Sequence, residues 1–184
     1  MKSLLIDKEI KYEGWQLCPH WIYKNFKIQG DAIVAFIGEC EVKLKEMVDI
    51  EDVINNEPIY SKNMLSFISE QFNIGLVEGV FRQRLLICEI KEALESRGFV
   101  IKRDGDDLFY NDKKLTVSIA TKSATSVLIH TGINITSVGT PIKTSGLESD
   151  LGLSDIKEFA KEVMSKYNEE IEDIVLASTK VRGV

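Results

Sequence analysis

Residues 105–135 read GDDLFYNDKKLTVSIATKSATSVLIHTGINI, and this stretch decides the fold. Asn111-Asp112, between Leu108-Phe109-Tyr110 and Lys113-Lys114-Leu115, has the composition of a two-residue hairpin turn. Pairing outward from it sets Phe109 opposite Lys114 and Asp107 opposite Thr116. A third apolar run, from Val127 to Ile135, completes an antiparallel meander. Side chains alternate faces along a strand. That rule predicts one core face with Leu108, Leu115, Val117, Ile119, Val127, Ile129, Ile133 and Ile135. The other face would carry Asp107, Phe109, Lys114, Thr116, Ser118, His130, Gly132 and Asn134, with Leu128 among them.

A polar sheet face is either solvated or a site. Gly132 and Asn134 favour a site. Glycine weakens a strand interior and often marks a close approach by a ligand or another backbone, and an asparagine between two isoleucines needs a hydrogen-bonding reason. Asp107, Lys114, His130, Thr116, Gly132 and Asn134 are the candidate residues of that face. His130 has two readings, an acid or base that titrates near neutrality and a satisfied structural histidine.

Working outward, residues 76–97 predict a helix with lines through Phe81, Leu85 and Cys88 and through Ile87, Ile90 and Leu94, stopped by Gly98. A second helix is expected from Ser154, its N-cap, to Ile171, burying Ile156, Phe159, Ala160, Val163, Met164 and Tyr167. Residues 176–184 read as a last short strand or a loose terminus. Residues 31–37 read as a buried strand ending at Gly38, and Met64 to Phe72 as a strand or extended segment. Residues 41–53 are ambiguous, and residues 55–58 form a turn. Trp15, Trp21, Tyr23 and Phe26 read as a packed edge of the core.

The 184 residues suit one domain, 1–184, with a substantial core. A net charge of -6 argues against an electrostatic nucleic-acid binder. No apolar run is long enough to span a membrane, and the start MKSLLIDKEI lacks the apolar centre of a signal peptide. Cys18, Cys40 and Cys88 have no metal-type spacing, and no metal site is expected from them. These features lead to an expectation of a cytoplasmic protein with reduced thiols. Cys88 reads as core, and Cys40, in the turn-like Gly38-Glu39-Cys40, is the one thiol considered reactive.

The chain resembles the biotin and lipoate protein ligase superfamily. Asp106-Asp107-Leu108-Phe109-Tyr110-Asn111-Asp112-Lys113-Lys114-Leu115 is similar to the biotin-ligase hairpin N-D-L-Y-x-N-x-x-K-L, and His130-Thr131-Gly132-Ile133-Asn134 to the G-x-G-I-N strand after it. Residues 58–68, PIYSKNMLSFI, resemble a lipoate-ligase stretch and bring Tyr60 to the expected site, and Thr144-Ser145-Gly146-Leu147 resembles the T-S-L turn of lipoate and octanoyl transferases. The resemblance implies an α/β (α+β) domain with a mixed, mostly antiparallel sheet and helices on one side. It implies Lys114 on the carboxylate or the adenylate phosphate of a small acid or acyl ligand, with Asp107 and Asn134 orienting Lys114 or binding the acyl group. ATP and magnesium, an acceptor protein and a homodimer enter as implications of the resemblance alone.

The segments IGEC, MVDIED, RQRLL, GDDLFYNDKKLTVSIAT and HTGINI are similar to the family of domain of unknown function numbered 366. The ligase pattern is departed from in four places, one of them His130 in place of the first glycine of G-x-G-I-N. The glycine- and arginine-rich loop is represented by Asn55-Asn56-Glu57-Pro58, residues 136–141 lack the cysteine of octanoyl transferases, and Val117 replaces the glycine after the family lysine. The resemblance implies a ligase or acyltransferase working through Lys114, and the departures favour the alternative of a binding module that keeps the pocket without the phosphate loop. Arg82 and Arg84 are read as surface residues that could otherwise replace the lost charge.

Overall fold

A computed structural model describes residues 1–183. Strand β1 (Lys2–Leu5) is followed by helix α1 (Trp21–Phe26) and strand β2 (Ala32–Val42). A 3-10 turn at Leu44–Glu46 and α2 (Ile50–Asn55) lead into β3 (Ile59–Phe72), and then α3 (Leu76–Glu95). The strands β4 (Lys102–Asp104), β5 (Asp107–Tyr110), β6 (Lys113–Lys114), β7 (Thr116–Lys122) and β8 (Ser126–Asn134) precede α4 (Ile156–Thr179). Five strands form one sheet in the order β1-β2-β3-β8-β7. Only β1 runs parallel to its neighbour; the other pairs are antiparallel. The sheet is thus mixed and mostly antiparallel, as expected.

The sheet is buried on both faces. Ile33, Ala35, Leu65, Phe67 and Ile133 face the helices, where Leu86, Ile87 and Ile90 of α3 and Phe159, Val163 and Tyr167 of α4 cover them. The opposite face presents Val34, Phe36, Met64, Ile68 and Leu128 to Tyr12, Leu17, Trp21 and Ile22 of the N-terminal segment. The two long helices therefore pack on one side, and the other side is left for the N-terminal segment and a cavity. No described helix is long and apolar enough to cross a membrane.

Several expectations are corrected. On α3 the buried stripe runs through Gln83, Leu86, Ile87, Ile90, Ala93 and Leu94, so Phe81 lies on the solvent side and Cys88 is half-buried. Helix α4 keeps its expected stripe but starts after Asp155 rather than Ser154, and it continues through residues 176–179, where a strand or loose end was expected. Residue 184 lies outside the described residues. Of the N-terminal aromatics, Trp21 is buried and Phe26 packs on it, whereas Trp15 and Tyr23 are exposed. Cys40 is not in a turn. It is fully buried in β2, and burial pushes its thiol up to about 12, with Glu39 adding to the effect. That position removes the reason for calling it reactive.

The meander divides between two sheets. The Asn111-Asp112 turn forms as expected, with both residues in the left-handed region that a type I′ turn requires. Phe109 pairs with Lys114 and Tyr110 with Lys113, but these strands join β4 in a separate three-stranded sheet. At the crossing into β7, two successive residues face the same side. Leu115 joins the helix-side core with Leu108, and Thr116 pairs with Ile133 while its Oγ1 accepts a hydrogen bond from the Leu108 N–H. Alternation counted through this point is therefore inverted along β7. Val117 and Ile119 pack on the far face with Met64 and Leu128, whereas the Ser118 hydroxyl meets the Gln83 amide of α3.

Candidate ligand-binding site

Lys114 and Asp107 come together because the hairpin register places them diagonally on one face. Lys114 Nζ stands 2.9 Å from Asp107 Oδ2. Burial raises the Asp107 pKa, and the Lys114 ammonium opposes that rise. The backbone beneath is held by the Thr144–Leu147 segment. Ser145 N–H donates to the Lys114 carbonyl at 2.9 Å, Ser145 Oγ donates to the Lys113 carbonyl, and Leu147 N–H donates to the Asn134 carbonyl at 2.8 Å. The T-S-G-L sequence thus fixes both the lysine and the asparagine of the site.

Asn134 ends β8. It is 5% exposed, and among the described residues no protein group hydrogen-bonds its carboxamide, which lines the cavity. The carboxamide opens onto the cavity, where water or a ligand can satisfy it. Residue His130, two pairs further along, is also buried. Its ring stacks on Tyr12 with centroids 3.8 Å apart, and Nε2 lies 3.4 Å from Ser66 Oγ. Burial pushes its pKa down to about 3. His130 is therefore neutral near neutral pH.

Gly132 lies on the same face but does not line the cavity. A Cβ there would meet Met64 Sδ at 2.3 Å, so the glycine makes room for Met64 rather than for a ligand. Thr116 is in the wall beside Lys114 with its hydroxyl engaged by Leu108. Tyr60, partly exposed near the start of β3, also lines the cavity.

The cavity these residues share has a volume of about 530 Å³. Its charge is lopsided. Glu46, Asp49, Asp52, Glu57, Asp106 and Asp107 line it, against one lysine, Lys114. Lys114 is paired to Asp107, and Asp106 to Arg84. Asp49, Asp52 and Glu57 have no cationic side chain in ion-pair contact among the described residues. Burial first, then Asp49, Glu57 and Glu51, raises the Asp52 pKa, with Lys114 opposing the rise. Sequence reasoning missed this wall, although its signal was present in Asp49-Ile50-Glu51-Asp52 and Glu57.

The residues do not fit a nucleoside triphosphate. Its phosphates would meet several uncompensated carboxylates and one lysine already paired. Arg82 holds Gln71 and Glu78, and Arg84 holds Asp106, so neither restores positive charge to the wall. No group of three or more His, Cys, Asp or Glu among the described residues is disposed to hold a metal ion.

A solved structure from Pyrococcus horikoshi, described as a protein of unknown function, is 38% identical to the chain. It covers all of both chains with a TM-score of 0.92. At the level of fold alone, the chain is similar to a mutant of the biotin protein ligase from Aquifex aeolicus in complex with biotin, at 14% identity and a TM-score of 0.61. That match covers 94% of this chain and 70% of that one. It is likewise similar to a chain of the bi-partite lipoate protein ligase and its E2 lipoyl domain from Thermoplasma acidophilum, at 12% identity and a TM-score of 0.60, over 93% and 84% of the two chains. The biotin/lipoate ligase-like fold read from the hairpin is thereby shown. The model of the family described as domain of unknown function (DUF366) matches residues 1–182, and the chain belongs to that family.

Proposed function

We propose that the chain binds a small carboxylic acid or acyl ligand in this cavity, with Lys114 on the carboxylate or acyl oxygen, and that it does so without nucleotide chemistry. The observation that carries the reading is the Lys114 ammonium held at the cavity wall by Asp107, beside the partnerless Asn134 carboxamide. An ammonium on a carboxylate makes a charge-assisted hydrogen bond, and a desolvated wall strengthens it. Asn134 adds a donor and an acceptor to fix the orientation of the ligand. Against adenylate chemistry stands the acidic wall, which repels phosphate.

A ligase or acyltransferase acting through Lys114 on such an acid is the second reading. It is favoured by the likeness of nearly the whole chain to enzymes named for biotin and lipoate ligation. That reading brings an acceptor protein as partner, by analogy with the E2 lipoyl domain beside the Thermoplasma acidophilum ligase. The three free cysteines support a cytoplasmic setting, and light scattering reads the homodimer that the resemblance implies.

Thermal shift and calorimetry against a broad panel of small carboxylic acids test the site, with wild type and Lys114→Ala, each with and without ATP and magnesium. Binding that needs Lys114 and ignores ATP supports the proposal. Pyrophosphate exchange with any acid transfers support to the ligase. Silence across the panel, with Lys114→Ala indistinguishable from wild type, rejects both.

A further inference from the structure

We infer that the ligand of this cavity carries an organic cation, such as a primary ammonium group, which docks against Asp52 and Glu57 in the cavity that Lys114 also lines. The inference rests on the acid-binding reading for the other end of the ligand, and together they describe a small amphoteric molecule such as an amino acid with a spacer between its charges. It departs from the simple apolar acids that the fold alone would suggest.

Local structure explains part of the wall's charge, since Glu51 and Asp52 lie in the first turn of α2, where the helix dipole favours carboxylates. Asp49 is accounted for, since its side chain accepts the Glu51 N–H and starts α2. Asp52 is half-buried and faces the cavity, where burial and Asp49 work against its ionisation. Glu57 follows the C-terminal end of α2, where the helix dipole disfavours negative charge. Two carboxylates without an ion-pair partner among the described residues therefore share a cavity with the one lysine. Like charges gathered without a counterion destabilise a fold, and a cationic ligand removes that repulsion on binding.

A second observation points to a ligand independently of the carboxylates. The Asn134 carboxamide, in a residue only 5% exposed, is directed into the cavity with no protein partner. Asn134 lies next to the lysine side of the site through the Leu147 and Ser145 clamp. It offers an acceptor to an ammonium and a donor to a carboxylate. The rest of the wall suits an alkyl spacer, with Val117, Ile119, Met64 and Ile142 lining the space and the Tyr60 ring at its edge. Aromatic faces also attract cations. The carboxylates do not converge as metal ligands would, which favours an organic cation.

Calorimetry with three matched probes separates the two ends. They are a linear alkanoate, the ω-amino acid of the same length and the alkylamine of the same length, each at several chain lengths. The ω-amino acid is expected to bind about tenfold or more tightly than the alkanoate, since a charge-assisted hydrogen bond is worth about that factor. The double variant Asp52→Asn, Glu57→Gln is expected to remove that advantage and to leave alkanoate binding unchanged or improved. Its melting temperature should equal or exceed that of wild type, which separates lost binding from lost folding. An alkanoate that binds as tightly as the ω-amino acid overturns the inference, as does amine binding that the double variant leaves intact, or no binding of either amine at millimolar concentration. If Lys114→Ala weakens no probe while the double variant weakens both amines, the acid reading fails and the cation site stands.

Discussion

Asn134 and Lys114 are held in one frame by a single loop. Ser145 N–H donates to the Lys114 carbonyl and Leu147 N–H to the Asn134 carbonyl, so residues from two different sheets are clamped by two positions of one turn. The geometry of the site depends on that turn as much as on the strands that carry its side chains.

Replacing Lys114 by alanine should weaken acid binding while scarcely changing stability. The Lys114–Asp107 pair is partly exposed, 30% for each side chain, and such pairs contribute about 0–1 kcal/mol. The loss of a charge-assisted contact to ligand should weaken binding by about tenfold or more. Asp107 would keep the burial that raises its pKa and lose the cation that opposes it. Urea titration and calorimetry on the same sample check both halves.

His130 should make the fold acid-sensitive. Its pKa is about 3 in the folded chain against 6.5 in the unfolded one, so the unfolded state binds more protons between those values. Stability from this group is full above pH ~6.5 and falls as the pH drops toward 3. The steepest slope is about 1.4 kcal/mol per pH unit. His130→Phe, which keeps a ring to stack on Tyr12, should flatten that part of the profile. Denaturant midpoints from pH 4 to 7.5 provide the check; identical slopes in the two proteins would rule out the assignment.

Cys40 should resist alkylation in the native protein. Its thiol is fully buried and pushed up to about 12 by burial and Glu39, so the thiolate is scarce at pH 8. Mass spectrometry after brief iodoacetamide treatment should find Cys18 and Cys88 labelled first and Cys40 only after denaturation.

Gly38→Ala should destabilise the chain strongly. A Cβ at Gly38 would stand 2.2 Å from the Ile10 carbonyl oxygen, and that backbone is tied to β2 by the Ile10 N–H to Ile37 carbonyl hydrogen bond. Overpacking in a tight site costs about 1–3 kcal/mol, and here a backbone must move rather than a side-chain end. A melting temperature within a degree of wild type would contradict this account.

Local elements and much of their pairing were legible along the chain. Asn111-Asp112 required a tight hairpin because both residues tolerate the left-handed region, and that register brought Asp107 to Lys114. The buried stripe of α4 was readable for the same kind of reason, because 3.6-residue periodicity is visible within one chain segment. Parity along β8 also held, since Asn134 faces the cavity and Ile133 the helices. Folding settled the rest, where segments distant in sequence meet. The strand alternation breaks at Leu115–Thr116 because the chain changes sheets there, and no local pattern records such a change. Gly132 reads as a ligand contact from its strand alone, yet Met64 fills the space above it. The acidic wall acquires a meaning only when folding brings Asp52 and Glu57 into one cavity with Lys114. Charge is legible residue by residue, but its effect depends on distance and burial, which are properties of the folded chain.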